Sequence, residues 1–295
     1  VFPISKINFI EHFTMSFPTS NTVLFQDTWK KSDPDLYAYL KMHGTKCKYA
    51  DKRIIPEISD PFEFKMIICD SHLLESLFRM IDCFKPMNFR SYPARLESFI
   101  KRSIQQIRPK DLLDTERYPF PYWIKPSDDN PSFDARVVNS KELRDYVLRR
   151  IPDHNKPIYY CKKLDLVSEF RLFIADNKLH CIVDTTDYNR QFREGITDTN
   201  HILPDHETKS DFPSQQYIDE ILSHNIYPYC VIDVAMSVDG VWYLIDVNPP
   251  FSVKRHGMPL SKYTEYCAMV WQAYRHYKQL QLILKQLKST QISSN

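Results

Sequence analysis

Asp233 and Asp246 flank the turn Asp239-Gly240, and Asn248 follows two residues later. Asp-Gly between alternating apolar residues is a strong short-range hairpin signal. It predicts strands over Val231 to Ser237 and Val241 to Asn248. With Asp239 and Gly240 as the two central turn residues, Asp233 stands directly across from Asp246. Side chains facing each other across antiparallel strands share a face, and Asn248 joins them by the two-residue strand period. Two carboxylates and a carboxamide oxygen then converge. Like charges so placed repel, and hard oxygen ligands of this kind suit magnesium with a phosphate-bearing ligand. The bland alternative is an exposed hairpin with polar residues outward, and a one-residue slip would separate the pair. On this register Val241, Tyr243, Ile245 and Val247 form the opposite, core face.

A phosphate ligand needs cations. Lys125 ends the strand Tyr122 to Pro126, where its stem packs on the sheet and its ammonium acts as a point charge; a plain surface lysine is the other reading. In Ser168-Glu-Phe-Arg171, Glu169, Arg171 and Phe173 share one face, and Phe170, Leu172 and Ile174 the other. Arg171 on that rigid strand suits bidentate contact to phosphate or carboxylate, or pairing with Glu169 or Asp184.

Several chemistries are excluded. Only four glycines occur in 295 residues, where average usage gives roughly twenty. No two lie close enough for a P-loop or a G-x-G-x-x-G turn. G-x-S-x-G, H-E-x-x-H and protein-kinase motifs are absent. The seven cysteines show no C-x-x-C spacing and read as buried thiols in a reducing, cytoplasmic compartment. A net charge of +2 gives no support to a nucleic-acid partner, and no apolar run is long enough to span a membrane. The chain opens on Val1 rather than methionine, which leaves open whether residues precede it.

Around these residues the pattern is α+β. Residues 1–20 read as an arm. Thr22 to Phe25 and Phe64 to Cys69 read as strands. Leu36 to Met42 reads as a helix started by Asp33-Pro-Asp35 and ended at Gly44, and Ser71 to Phe84 as a second helix. Together they form a small α/β domain over 21–110, whose last helix spans Ala94 to Ile107 and is closed by Pro109. Strands at Ala135 to Val138 and Pro157 to Cys161 flank a helix capped by Ser140. A further hairpin joins Glu169 to Ala175 with Leu179 to Asp184. Cys267, Val270, Tyr274, Tyr277, Leu280, Leu284 and Leu287 recur at helical steps and predict a packing face.

The ordered set Trp123-Ile-Lys125-Pro126, Ser168-Glu-Phe-Arg171, Asp233 and Ile245-Asp246-Val247-Asn248-Pro249 resembles the ATP-grasp superfamily over roughly residues 90–260. Two divergent groups are most similar. One is the cell-division-cycle family of ATP-binding assembly factors, through the Glu-Phe-Arg strand, Thr186-Asp187-Tyr188-Asn189 and the run Trp242 to Pro249. The other is a viral and microbial clade of peptide or amino-acid ligases, through the α/β unit that precedes the motifs.

The resemblance implies a nucleotide clamped between two α+β subdomains, 111–163 as the lid and 164–295 carrying the metal site and terminal helix. Lys125 would contact the α- and β-phosphates. Tyr160, Cys161, Lys162, Lys163 and Leu164 would form the hinge beside adenine. Arg171 would face the γ-phosphate as the catalytic cation, and Asp233, Asp246 and Asn248 would hold Mg2+. The implied activity is ATP-dependent ligation of a carboxylate to an amine through an acyl-phosphate, releasing ADP. The alternative is an ATP-binding assembly factor for a protein client. The family's glycine-rich phosphate loop is replaced here by Ser127-Asp-Asp-Asn-Pro-Ser132. Arg90, Arg95 and Lys101 compete as the basic residue before the lid, and Gln191 to Ser214 is expected to carry substrate specificity.

Overall fold

A computed structural model describes residues 22–50, 63–69, 73, 90–127, 133, 135–188, 212–251 and 255–292, with side chains omitted at residue 50 and beyond Tyr277. The expected arm, the Ser71 to Phe84 helix apart from Leu73, most of the segment after Ser127, and residues 191–211 lie outside this set. The chain parts into two compact units, residues 1–85 with 271–295, and residues 86–270.

In the first unit β1 (Thr22–Gln26), α1 (Asp27–Ser32), α2 (Pro34–Met42), β2 (Lys46–Ala50) and β3 (Met66–Ile68) build a parallel sheet of order β2-β1-β3. Helix α2 starts as expected: the Asp33 carboxylate accepts from the Leu36 amide at 3.2 Å, satisfying a helix-end donor. It ends before Gly44, whose φ of +69° is the left-handed conformation that glycine adopts without penalty. Strands β1 and β3 are buried on both faces, as parallel strands require. Strand β2 was not expected. Its alternating lysines, Lys46 and Lys48, dilute the apolar signal and suit a sheet edge.

The second unit holds two antiparallel four-stranded sheets. The expected helix from Ala94 to Ile107 is not formed. A 3-10 turn at Ala94–Leu96 and one helical turn, α3 (Glu97–Ile100), end at Lys101, whose φ is +50°. The chain then extends as β4 (Gln105–Ile107), paired with Ile158 to Tyr160. Tertiary pairing overrides local helical spacing here, and Pro109 opens a 3-10 turn (Pro109–Leu113) rather than closing a helix.

The first of the two sheets combines β4, β5 (Tyr122–Pro126), β6 (Arg136–Val138) and β7 (Ile158–Lys162) in the order β4-β7-β5-β6, with α4 (Lys141–Arg150) against it. Ser140 caps α4 by accepting from the Leu143 amide at 3.3 Å. Tyr122, Ile124, Val138, Val147, Leu148 and Tyr160 share its core.

The other sheet has the order β11-β10-β8-β9, from β8 (Leu166–Ala175), β9 (Lys178–Asp184), β10 (Cys230–Ser237) and β11 (Trp242–Asn248). Helix α5 (Gln215–His224) joins Phe170, Leu172, Ile174, Ile232, Val234 and Leu244 in the core on one face. On the opposite face the start of α6 (Leu260–Ile292) covers one end: Tyr266 meets Phe173 edge-on at 5.1 Å and donates to the Cys230 carbonyl at 3.0 Å. Cys267, Val270 and Tyr274 are buried as the helical stripe predicts, whereas Tyr277 is 47% exposed. Leu280, Leu284 and Leu287 lie beyond the described side chains.

Candidate functional site

The β10–β11 hairpin places Asp233 opposite Asp246, but by a different route from a two-residue turn. Gly240 N donates to Ser237 O at 2.9 Å, and Ser237 N to Val241 O at 3.0 Å. Val238, Asp239 and Gly240 therefore form a three-residue loop, with Gly240 at φ +74° in the position that needs it. That loop pairs Val234 with Leu244, and a bulge then restores Asp233 opposite Asp246 with Ile245 as the extra residue. The bulge changes the faces. Leu244 and Val247 enter the core with Trp242 packed against them, while Ile245 lines a cleft together with Asp246. Tyr243 and Ile245 are thus not the core residues that strict alternation predicts.

Next to this hairpin, β8 sets Arg171 opposite Asp233. Its guanidinium is bidentate on that carboxylate, Nε to Oδ1 at 2.7 Å and Nη2 to Oδ2 at 2.9 Å. The partner is neither Glu169 nor Asp184. Asn248 Nδ2 also donates to Asp233 Oδ2 at 3.1 Å. Burial works against the Arg171 charge, and Asp233 more than restores it, so the guanidinium holds its proton more tightly than usual.

Lys125 comes from the other sheet. In β5 the side chains alternate: Tyr122 and Ile124 enter the core of that sheet, and Trp123 and Lys125 leave it. The Lys125 ammonium meets Asp246 Oδ2 at 2.5 Å and Ser91 Oγ at 2.6 Å. Asp246 Oδ1 is buried with no hydrogen bond among the described residues. Burial raises the Asp246 carboxyl above its ordinary range, Lys125 opposes this most strongly, and the facing Asp233 adds to it.

Asp233, Asp246, Asn248 and Arg171 border one cleft of about 250 Å3, just under the ~300 Å3 at which small-molecule sites usually begin, whereas Lys125 meets Asp246 without lining that cleft. Its walls carry the acidic pair, Asn248, Arg171, Lys163 and Leu164. Tyr160 and Cys161 are buried and Lys162 is exposed, and none of the three side chains lines the cleft.

Two basic residues escaped the sequence reading. Arg102, next to the candidate Lys101, stacks 5.3 Å from the Trp123 ring and donates to the bulged Ile245 carbonyl at 3.3 Å. Arg136 on β6 lines the same cleft. The positive φ of Lys101 re-aims the following residue, which linear spacing does not register.

The donor set fits magnesium. Two opposed carboxylates, one with a buried oxygen lacking a hydrogen bond, and an amide oxygen are hard ligands. Among the described residues no three His, Cys, Asp or Glu side chains gather. No described helix is long and apolar enough to cross a membrane.

An α+β clamp of two antiparallel sheets, with cations from one strand of each meeting an acidic hairpin, defines the class. Residues 99–266 match an ATP-grasp domain family, the second family of its clade. The match covers more than half of the chain, which therefore belongs to that family and has its fold. The solved structures agree. D-alanine–D-alanine ligase from Bacillus anthracis aligns with TM-score 0.51 at 14% identity over 87% of this chain and 98% of that one. The same ligase complexed with ATP gives 0.53 at 12% identity, with the same coverage. D-cycloserine synthetase DcsG gives 0.50 at 13% identity, over 87% and 99%. At such identities the likeness concerns fold. No curated protein matches in sequence.

Proposed function

We propose that this chain binds ATP with Mg2+ in the cleft and uses it to join a carboxylate to an amine, releasing ADP. The observation that carries the reading is the meeting of Lys125 and Arg171 with the facing carboxylates of Asp246 and Asp233. Two cations and two anions on rigid strands form an arrangement that a magnesium-bound triphosphate can enter by exchange. The lysine and arginine pass to phosphate oxygens, and Asp233, Asp246 and Asn248 become free to hold the metal. When bound, the metal supplies charge neutralisation of the phosphates during transfer.

Residue roles follow from position. Lys125 and Arg102 approach the phosphates from the lid side, Arg102 held in place by Trp123. Arg171 faces the γ-phosphate, where a bidentate cation on a strand stabilises the charge that develops as a substrate carboxylate oxygen attacks phosphorus and the bond to the ADP oxygen breaks. The amine then attacks the acyl carbon, and phosphate leaves. The main chain of residues 160–164 serves adenine, with Leu164 as its apolar wall. Several of the described thiols are buried and reduced, which suits the cytoplasm, where ATP is abundant.

The test is calorimetry with ATP, with and without Mg2+, on the native protein and Asp246→Ala. Magnesium-dependent binding is expected in the native protein and lost in the variant. Equal, metal-independent affinity in both would overturn the reading.

One observation favours a second reading, an ATP-binding assembly factor for a protein client. Ser127-Asp-Asp-Asn-Pro-Ser132 contains no glycine where a phosphate loop needs close backbone approach. ADP release stimulated by amino acids or peptides supports the ligase. ATP binding without stimulated turnover across a broad panel supports the assembly factor.

A further inference from the structure

Ser91 lies upstream of the span that matches the family, yet it touches both sheets of its unit. On the metal-strand side, its carbonyl accepts from Val247 N at 3.1 Å, one residue from Asp246. The preceding Arg90 N donates to the Tyr227 hydroxyl at 3.1 Å, and Tyr227 belongs to the core beneath that sheet. On the lid side, Tyr92 meets Tyr159 of β7 edge-on at 5.0 Å, and the Ser91 hydroxyl accepts from Lys125 at 2.6 Å. Residues 90–93 are therefore a strap, and Ser91 is buried at its centre with 6% exposure.

A serine hydroxyl is suited to this place because it has one donor and two acceptor lone pairs. Here one lone pair accepts from the Lys125 ammonium. The lysine has three N–H donors. Asp246 and Ser91 take two; when the carboxylate turns to the metal, the Ser91 bond holds the ammonium while its other two donors serve phosphate oxygens. Asp246 likewise spends Oδ2 on the lysine, and its Oδ1 has no hydrogen bond among the described residues.

We propose that Ser91 is a positioning residue: its hydroxyl holds the Lys125 ammonium beside Asp246 and sets the reach of the lysine toward the phosphates of an incoming nucleotide. The proposal rests on the ATP reading. It assigns to the strap a role that neither motif carries alone: Lys125 and Asp246 sit on different sheets, and the Ser91 bond remains when the lysine leaves the carboxylate for a phosphate oxygen.

The experiment measures adenosine and Mg2+·ADP affinities by calorimetry for the native protein, Ser91→Ala, Lys125→Met and the double variant. In Ser91→Ala, Mg2+·ADP affinity should fall about tenfold, as expected for losing a hydrogen bond to a charged group, with adenosine affinity unchanged. In the Lys125→Met background the serine substitution should have no further effect, since the residue it positions is gone. Unchanged Mg2+·ADP affinity in Ser91→Ala overturns the proposal. Equal losses for adenosine and ADP also overturn it, as the mark of a merely structural serine, and so does full additivity in the double variant. A native protein that binds no ADP overturns the ATP reading itself, and the positioning role with it.

Discussion

At Asp233 three donors converge, two from Arg171 and one from Asn248. Such a carboxylate is held as much by its partners as they are by it. Asp233→Ala leaves a largely enclosed guanidinium without its counter-charge, and removing one member of a buried pair costs far more than replacing both. A destabilisation of about 2–3 kcal/mol is expected, measured by urea unfolding, and Asp233→Ala with Arg171→Met should recover part of it. Both residues were legible in the sequence as chemistry-bearing. Their mutual pairing was not, because Glu169 and Asp184 are nearer in the chain, and adjacency across β8 and β10 is set by sheet order.

The hairpin shows what an element adds. Asp-Gly announces a turn in the sequence, but the loop closes over three residues and the register is rescued by the bulge at Ile245. Gly240 takes the left-handed conformation, and a Cβ added there meets nothing within 4 Å. Gly240→Ala should therefore cost only backbone strain, about 1 kcal/mol, in chemical denaturation, and leave ATP affinity intact because the Asp233–Asp246 pairing lies beyond the bulge. The same comparison explains the missed β4. One helical turn, a left-handed Lys101 and a three-residue strand leave too little periodicity to distinguish from a helix, and β7 supplies the hydrogen bonds that decide the matter.

At the scale of the molecule, α6 runs from residues 260–270 of one compact unit into residues 271–292 of the other. Trp271 is fully buried, and its indole donates to the Phe64 carbonyl at 3.0 Å, beside an Arg275 bond to the same oxygen at 2.7 Å. The first unit, with its three-stranded sheet, thus includes the chain's far end. Trp271→Ala removes a large core side chain and one of two donors, and should destabilise that unit by about 3–5 kcal/mol. Hydrogen exchange checks this: strands β1 and β3 should lose protection more than β8 and β10.

What the sequence determined by itself was the inventory. Scarce glycine excluded backbone phosphate cradles, two-residue alternation assigned Lys125, Arg171 and Asp233 to strand faces, and the ordered motifs resembled ATP-grasp. These are local properties, set by side-chain chemistry and strand period. The tertiary structure decided which charges meet, which faces the bulge turned, that Arg102 reaches the cleft and that Ser91 meets Lys125. Those are distances between segments far apart in the chain, and no spacing along it encodes them until the two sheets have folded against their cores.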